Sequence, residues 1–139
     1  MDISNSPRDL KICLEILQLW KIMKSNIEHF ATVRDLTLQQ IMMLYHLYGE
    51  DQILMGTLAK QMHCDASNVT GLAERLQLLG LISRREMPED RRAKQLAITK
   101  AGRELIETLL PCLPNGIGLE RLSTAENTEL SRLLGKLGA

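Results

Sequence analysis

Two short strand-like runs in a chain that otherwise reads as helix limit its possible folds more than any other feature. They are Leu81–Met87 and Ala93–Thr99, joined at Pro88–Arg92 by four consecutive charges, Glu89, Asp90, Arg91 and Arg92. Leu96 and Ile98 recur at two-residue spacing on one face of the second run. Period-two alternation around a polar turn predicts a hairpin. An isolated hairpin is at best marginal in water, so it must rest on the helices around it. The expected class is therefore mainly α with a small β-wing.

The flanking helices announce themselves by their caps. Ser6–Pro7 offers a capping hydroxyl and then proline at the first helical position. Leu10, Leu14, Ile16, Leu17, Trp20, Met23 and Ile27 follow at helical spacing, over more than one stripe. That helix is expected to be covered on two sides, one of which could be a second subunit. Thr37–Gln40 reads as a capping box, with Leu36 and Ile41 at staple positions, and Gly49 should stop this second helix after Tyr48. A short third helix is expected from about Thr57 to His63. After a turn at Cys64–Asp65, a fourth should run from Ala66 to Leu79, capped by Asp65 and closed by Gly80. A long helix should begin near Lys100 and break at Pro111–Gly116, which contains two prolines and a glycine. Ser123–Glu126 is a second capping box, opening a last helix with Leu130, Leu133, Leu134 and Leu137 on one side.

At 139 residues, one domain with a modest core is expected. Aromatic residues are only 3% of the chain, so that core must be Leu, Ile, Met and Val. The net charge of +0 names no partner, but its distribution does. Residues 60–103 carry nine basic against five acidic side chains, and the rest of the chain eight against twelve. A basic middle between acidic flanks points toward a polyanion.

A short helix, a tight turn and a second helix make a helix-turn-helix pattern. In the fourth helix Val69, Leu72, Ala73 and Leu76 form the apolar face, leaving Ser67, Asn68, Thr70, Gly71 and Arg75 opposite. Such a face reads either as solvated surface or as one that enters the major groove. In the groove Asn68 can pair with adenine, and Ser67 and Thr70 can bond a base or a phosphate. Gly71 costs roughly 1 kcal/mol against alanine in a helix interior, which suggests a close approach by DNA backbone or a neighbouring helix. The hairpin would carry its charged tip beside the duplex. Arginine there suits the narrow minor groove, and Asp90 can pair with an arginine and hold it in one geometry. Arg84, Arg85 and Lys94 on the strands can meet phosphates. The alternative is a solvated hairpin with exposed ion pairs of little worth.

The stretch Leu58–Gly102, LAKQMHCDASNVTGLAERLQLLGLISRREMPEDRRAKQLAITKAG, resembles the winged helix-turn-helix core of the MarR family of bacterial transcription regulators. The features that carry the resemblance are the Leu-Ala opening, Ser-x-Val-Thr in the recognition helix, Leu-x-x-Leu-Gly-Leu-Ile at its exit, the Asp-x-Arg tip and Leu-x-Ile-Thr-x-x-Gly beyond it. The resemblance implies one domain over residues 1–139. Its winged core would span about 36–102, with dimerisation helices at about 6–30 and 100–138. It implies a homodimer, acting as a repressor on a pseudo-palindromic double-stranded DNA operator, while three widely spaced cysteines, an odd number, fit a reducing cytoplasm. Release would follow binding of a small aromatic or phenolic effector, or thiol oxidation. Arg92 would be the minor-groove arginine, Asp90 its orienting partner, and Arg91 a neighbouring tip cation. Ser67, Asn68, Thr70 and Arg75 would serve the major groove and nearby phosphates. Gly71 departs from the family pattern, where a basic residue often follows the Thr, and Pro111–Gly118 interrupts what is usually helix.

Other signals are weaker. Cys13 stands where thiol-sensing relatives place a reactive cysteine, but a buried, inert thiol is the expectation for it, and likewise for Cys64 and Cys112. His63–Cys64 has no second pair at ligand spacing, so no metal and no cofactor is expected. His29 and His46 could line a pocket. No Gly-rich phosphate loop, Gly-x-Ser-x-Gly or His-Glu-x-x-His occurs, so enzyme chemistry has little support. No signal peptide or membrane span is read from the sequence. A rival to DNA binding remains: a winged-helix module that docks a protein, since fold alone does not fix function.

Overall fold

A computed structural model describes residues 6–90 and 92–138. Its elements run α1 (Pro7–Thr32), α2 (Leu38–Tyr48), β1 (Ile53–Leu54), α3 (Met55–Gln61), α4 (Ala66–Leu78), β2 (Ile82–Glu86), β3 (Lys94–Ile98), α5 (Lys100–Leu109) and α6 (Thr124–Leu137). Between α5 and α6 lie two single turns of 3-10 helix, Leu110–Cys112 and Leu119–Arg121. The chain is mostly helical with one small sheet, as its pattern predicts. Among the described residues no helix is long and apolar enough to cross a membrane.

The caps explain the helix starts. Thr37 Oγ1 accepts the Gln40 N–H at 3.2 Å while Gln40 Oε1 accepts the Thr37 N–H at 3.0 Å. Gln40 is thereby satisfied although it is buried. Ser123 and Glu126 repeat the exchange at α6. At α1, Ser6 and Asp9 do the same, with Asp9 in place of the usual glutamate.

The wing differs from the expected two-stranded hairpin in having a third strand. β3 lies in the middle, pairing antiparallel with β2 from Ile82↔Ile98 to Glu86↔Lys94 and with β1 at Ile53↔Leu96 and Leu54↔Gln95. Two residues are too few to show a period, so β1 left no trace in the pattern. The same segment moves the start of α3 forward from Thr57 to Met55.

The chain divides into two compact units. In residues 27–112, Ile41, Met43, Leu44 and Leu47 of α2, Leu58 of α3, Val69 and Leu76 of α4, Leu96 of β3 and Ile106 of α5 are all fully buried. Gly102 marks a close approach here. A Cβ on it would run into the Leu81 carbonyl oxygen and lie 2.8 Å from Ile98 Cγ1. Thr99 joins the same ends, its hydroxyl donating to the Gly80 carbonyl at 2.7 Å. Gly80 itself has φ +72°, a value that favours glycine.

The other unit combines residues 6–26 with 113–138. Asn26 Nδ2 donates to the Asn115 carbonyl at 2.8 Å, and Gly116 and Gly118 adopt φ of +77° and +87°. These contacts organise the break expected at Pro111–Gly118. The apolar residues of α1 between Leu10 and Trp20 are exposed, as are Leu133, Leu134 and Leu137 of α6.

Candidate nucleic-acid interface

Asp65 builds the start of α4. Its carboxylate accepts the Asn68 N–H at 2.8 Å and the Ser67 hydroxyl at 2.9 Å. The bond from the Asn68 backbone, then the one from Ser67, hold its pKa below the ordinary carboxylate value. Val69, Ala73 and Leu76 are buried beneath the helix, with Leu72 half-buried beside them. Ser67, Asn68, Gly71 and Arg75 are exposed opposite, and Thr70 stands at the margin.

These residues are not equally available. The Ser67 hydroxyl is engaged by Asp65, and the Thr70 hydroxyl donates to the Ala66 carbonyl at 2.8 Å. Arg75 Nη2 pairs with Asp35 Oδ2 at 3.2 Å, tying α4 to the α1–α2 turn. The Asn68 side-chain amide bonds to none of the described residues. Asp35, at φ +56°, has no signal in the sequence, because no local rule links it to a residue forty positions on.

On the wing, strand alternation separates two neighbouring arginines. Arg84 shares a face with Leu96, its cross-strand partner, and Arg85 shares the opposite face with Gln95. Arg84 joins Arg92 and Lys94 in lining a cleft of about 650 Å³. Its other walls include Thr57 and Lys60 of α3 and Ala66 and Thr70 of α4. Four cationic residues thus line one hollow, and among the described residues no carboxylate joins its lining. Lys60 and Thr57 were not singled out from the sequence. The signal for Lys60 was its place in the basic stretch.

At the wing tip, Asp90 Oδ1 accepts the backbone N–H of Arg92 at 2.9 Å, and the Asp90 carbonyl accepts the Ala93 N–H at 3.0 Å. The carboxylate therefore sets the turn that presents Arg92 rather than gripping its guanidinium. Arg91 lies outside the described residues.

The other candidates are dispersed. Cys13 is exposed, correcting the expectation of a buried thiol, because no layer of its own unit covers that part of α1. Cys64 and Cys112 are half-buried. His46 lines a second hollow of about 590 Å³ with Tyr45, Tyr48, Glu50, Gln61 and Leu110, and partial burial lowers its pKa. His29 is exposed on α1.

The MarR family model matches residues 36–94, the stretch from the start of α2 to the start of β3. The HTH-type transcriptional repressor YetL of Bacillus subtilis is 30% identical over 132 residues, which cover 92% of this chain and 79% of that protein. The uncharacterized HTH-type transcriptional regulator YdgJ of the same organism is 33% identical over 79 residues, 57% of this chain and only 48% of its own length. Wild-type MarR from E. coli in its apo form superposes with a TM-score of 0.72 at 22% identity, over 88% of this chain and 92% of that one. A MepR mutant from S. aureus bound to an oligodeoxyribonucleotide gives 0.65 at 24% identity, over 88% and 91%. The repressor aligns along nearly the whole chain and the family model falls on the helix pair and wing, so the chain belongs to the MarR family of winged-helix, DNA-binding transcription regulators.

Proposed function

We propose that this protein acts as a homodimer on a pseudo-palindromic double-stranded DNA operator and represses transcription from it. One observation carries the reading: the first turns of α4 and the cations Arg84, Arg92 and Lys94 of the wing line one cleft with no carboxylate among its described residues. Phosphates can run through such a cleft while α4 presents Asn68 to the major groove and the wing tip presents Arg92 to the minor groove. Arg75 and Arg85 add charge around this footprint.

Dimerisation is supported by the exposed apolar residues of α1 and α6, which a two-fold partner would cover. Repression is supported by the name of YetL. Control falls to a small aromatic or phenolic effector, for which the hollow beside His46 and Tyr45 is a candidate seat, or to oxidation of exposed Cys13.

The test is a titration of the chain against its own upstream intergenic DNA and against random duplex at physiological salt. Preference for the upstream DNA, with affinity falling steeply as salt rises, is expected. Equal and weak binding to both would overturn the reading. It would then favour the rival, a protein-docking winged helix, for which Leu78 of α4 (84% exposed) is the supporting feature.

A further inference from the structure

Gly71 stands on the outer crest of α4. It lies four residues after Ser67 and four before Arg75, both exposed, and two from Val69 and from Ala73, both buried. At 3.6 residues per turn that puts it opposite the buried face. A ridge that should be the most prominent part of the helix is therefore notched to bare backbone at its centre.

The fold does not require this. A Cβ built on Gly71 meets nothing within 4 Å, and its φ is not in the left-handed region. Gly102 in α5 shows the contrary case, a helical glycine that the chain's own packing demands. With no internal reason for Gly71, and with a helix-propensity cost for keeping it, the reason lies in what α4 meets outside the chain.

We infer that Gly71 is a specificity-determining position: the notch admits α4 close to the floor of the major groove and receives the 5-methyl group of a thymine. This rests on the proposed placement of α4 in that groove. The methyl is the apolar group that projects from the major-groove edge of a base pair, and a backbone notch offers it contact with CαH₂. Asn68 lies three residues earlier on the same face, its side-chain amide unbonded to any described residue, and suits adenine. The two positions together read adjacent A·T pairs. Ser67 and Thr70 have their hydroxyl protons committed within the helix and add less.

A size swap across the interface tests this. Wild-type chain is used to select duplexes from a randomised library, and the selected site is remade with deoxyuridine replacing thymine one position at a time. Gly71→Ala should raise the melting temperature by about 4 °C, proving the variant folded, and weaken binding to the thymine site about tenfold. Deoxyuridine at one half-site position should restore Gly71→Ala to within about twofold of wild type, because a protein methyl then replaces a DNA methyl. Unchanged or tighter binding of Gly71→Ala would overturn the inference. A loss that no deoxyuridine relieves would overturn the thymine assignment. Failure of wild type to select any duplex would instead sink the proposed function itself.

Discussion

The winged-helix unit, residues 27–112, and the unit formed by residues 6–26 and 113–138 use similar apolar residues in opposite ways. Every buried apolar side chain among the described residues belongs to the first unit. In the second, Leu10, Leu14 and Leu17 of α1 are about half exposed, and Leu137 of α6 is 68% exposed. The winged-helix unit buries Leu44, Leu47, Leu58, Leu76 and Leu96 because α2 lies against α3, α4, α5 and β3. The other unit has helices without an opposing layer of their own. One region thus buries its apolar stripes within itself, and the other leaves them exposed.

The largest effect is expected from the second unit. Leu14→Glu combined with Leu17→Glu puts two carboxylates on each chain into the proposed interface, four per two-fold dimer, at a cost of about 4 kcal/mol or more. Sedimentation should then find monomer at micromolar concentration, with helical circular dichroism retained because both sites are exposed in the single chain. A persisting dimer would place the interface elsewhere.

Next comes the core of the winged-helix unit. Leu44→Ala removes a fully buried side chain and should cost about 2–5 kcal/mol in denaturant unfolding. A cost below about 1 kcal/mol would mean that this core is looser than its burial implies.

Smaller effects are expected at the wing. Arg92→Ala should weaken operator and random DNA alike and flatten the slope of log affinity against log salt by roughly 1 per subunit. Asp90→Ala should also weaken binding, although it removes a negative charge near DNA, because the Arg92 N–H loses its acceptor and the turn loses its shape. Asp90→Asn keeps an oxygen for that bond and should bind at least as tightly as wild type. Weak binding by Asp90→Asn would restore a direct carboxylate–guanidinium role.

The smallest effect concerns acid. Burial disfavours charged His46, so its folded pKa lies below the ordinary 6.5. The unfolded chain then binds more protons in the window between the two values, so stability falls as pH drops through it and levels off below the folded value. NMR titration of His46 should give a midpoint under 6.5, and a midpoint above it would require an anionic neighbour, with Glu50 in the same hollow the candidate.

Local signals carried the element list a long way. The Thr37 and Ser123 capping boxes, the Asp65 cap and the alternation around Leu96 depend on residues within three or four positions of each other, and short-range hydrogen bonds and periodicities leave marks at that range. The polar face of α4 was legible for the same reason. Several features were not legible because they join residues far apart in the chain. β1 pairs across some forty residues, Asp35 reaches Arg75 over a similar span, and Lys60 enters the cleft only because β3 folds beside α3. Position in sequence also placed Arg84 and Arg85 together, whereas pairing with β3 sends them to opposite faces. The sequence by itself determined a helical chain with a charged wing and a polar face on α4, since caps, period and composition act locally. Only the tertiary structure decided which cations share a cleft, which polar groups stay free and which apolar residues stay uncovered, since those depend on what long-range packing brings alongside them.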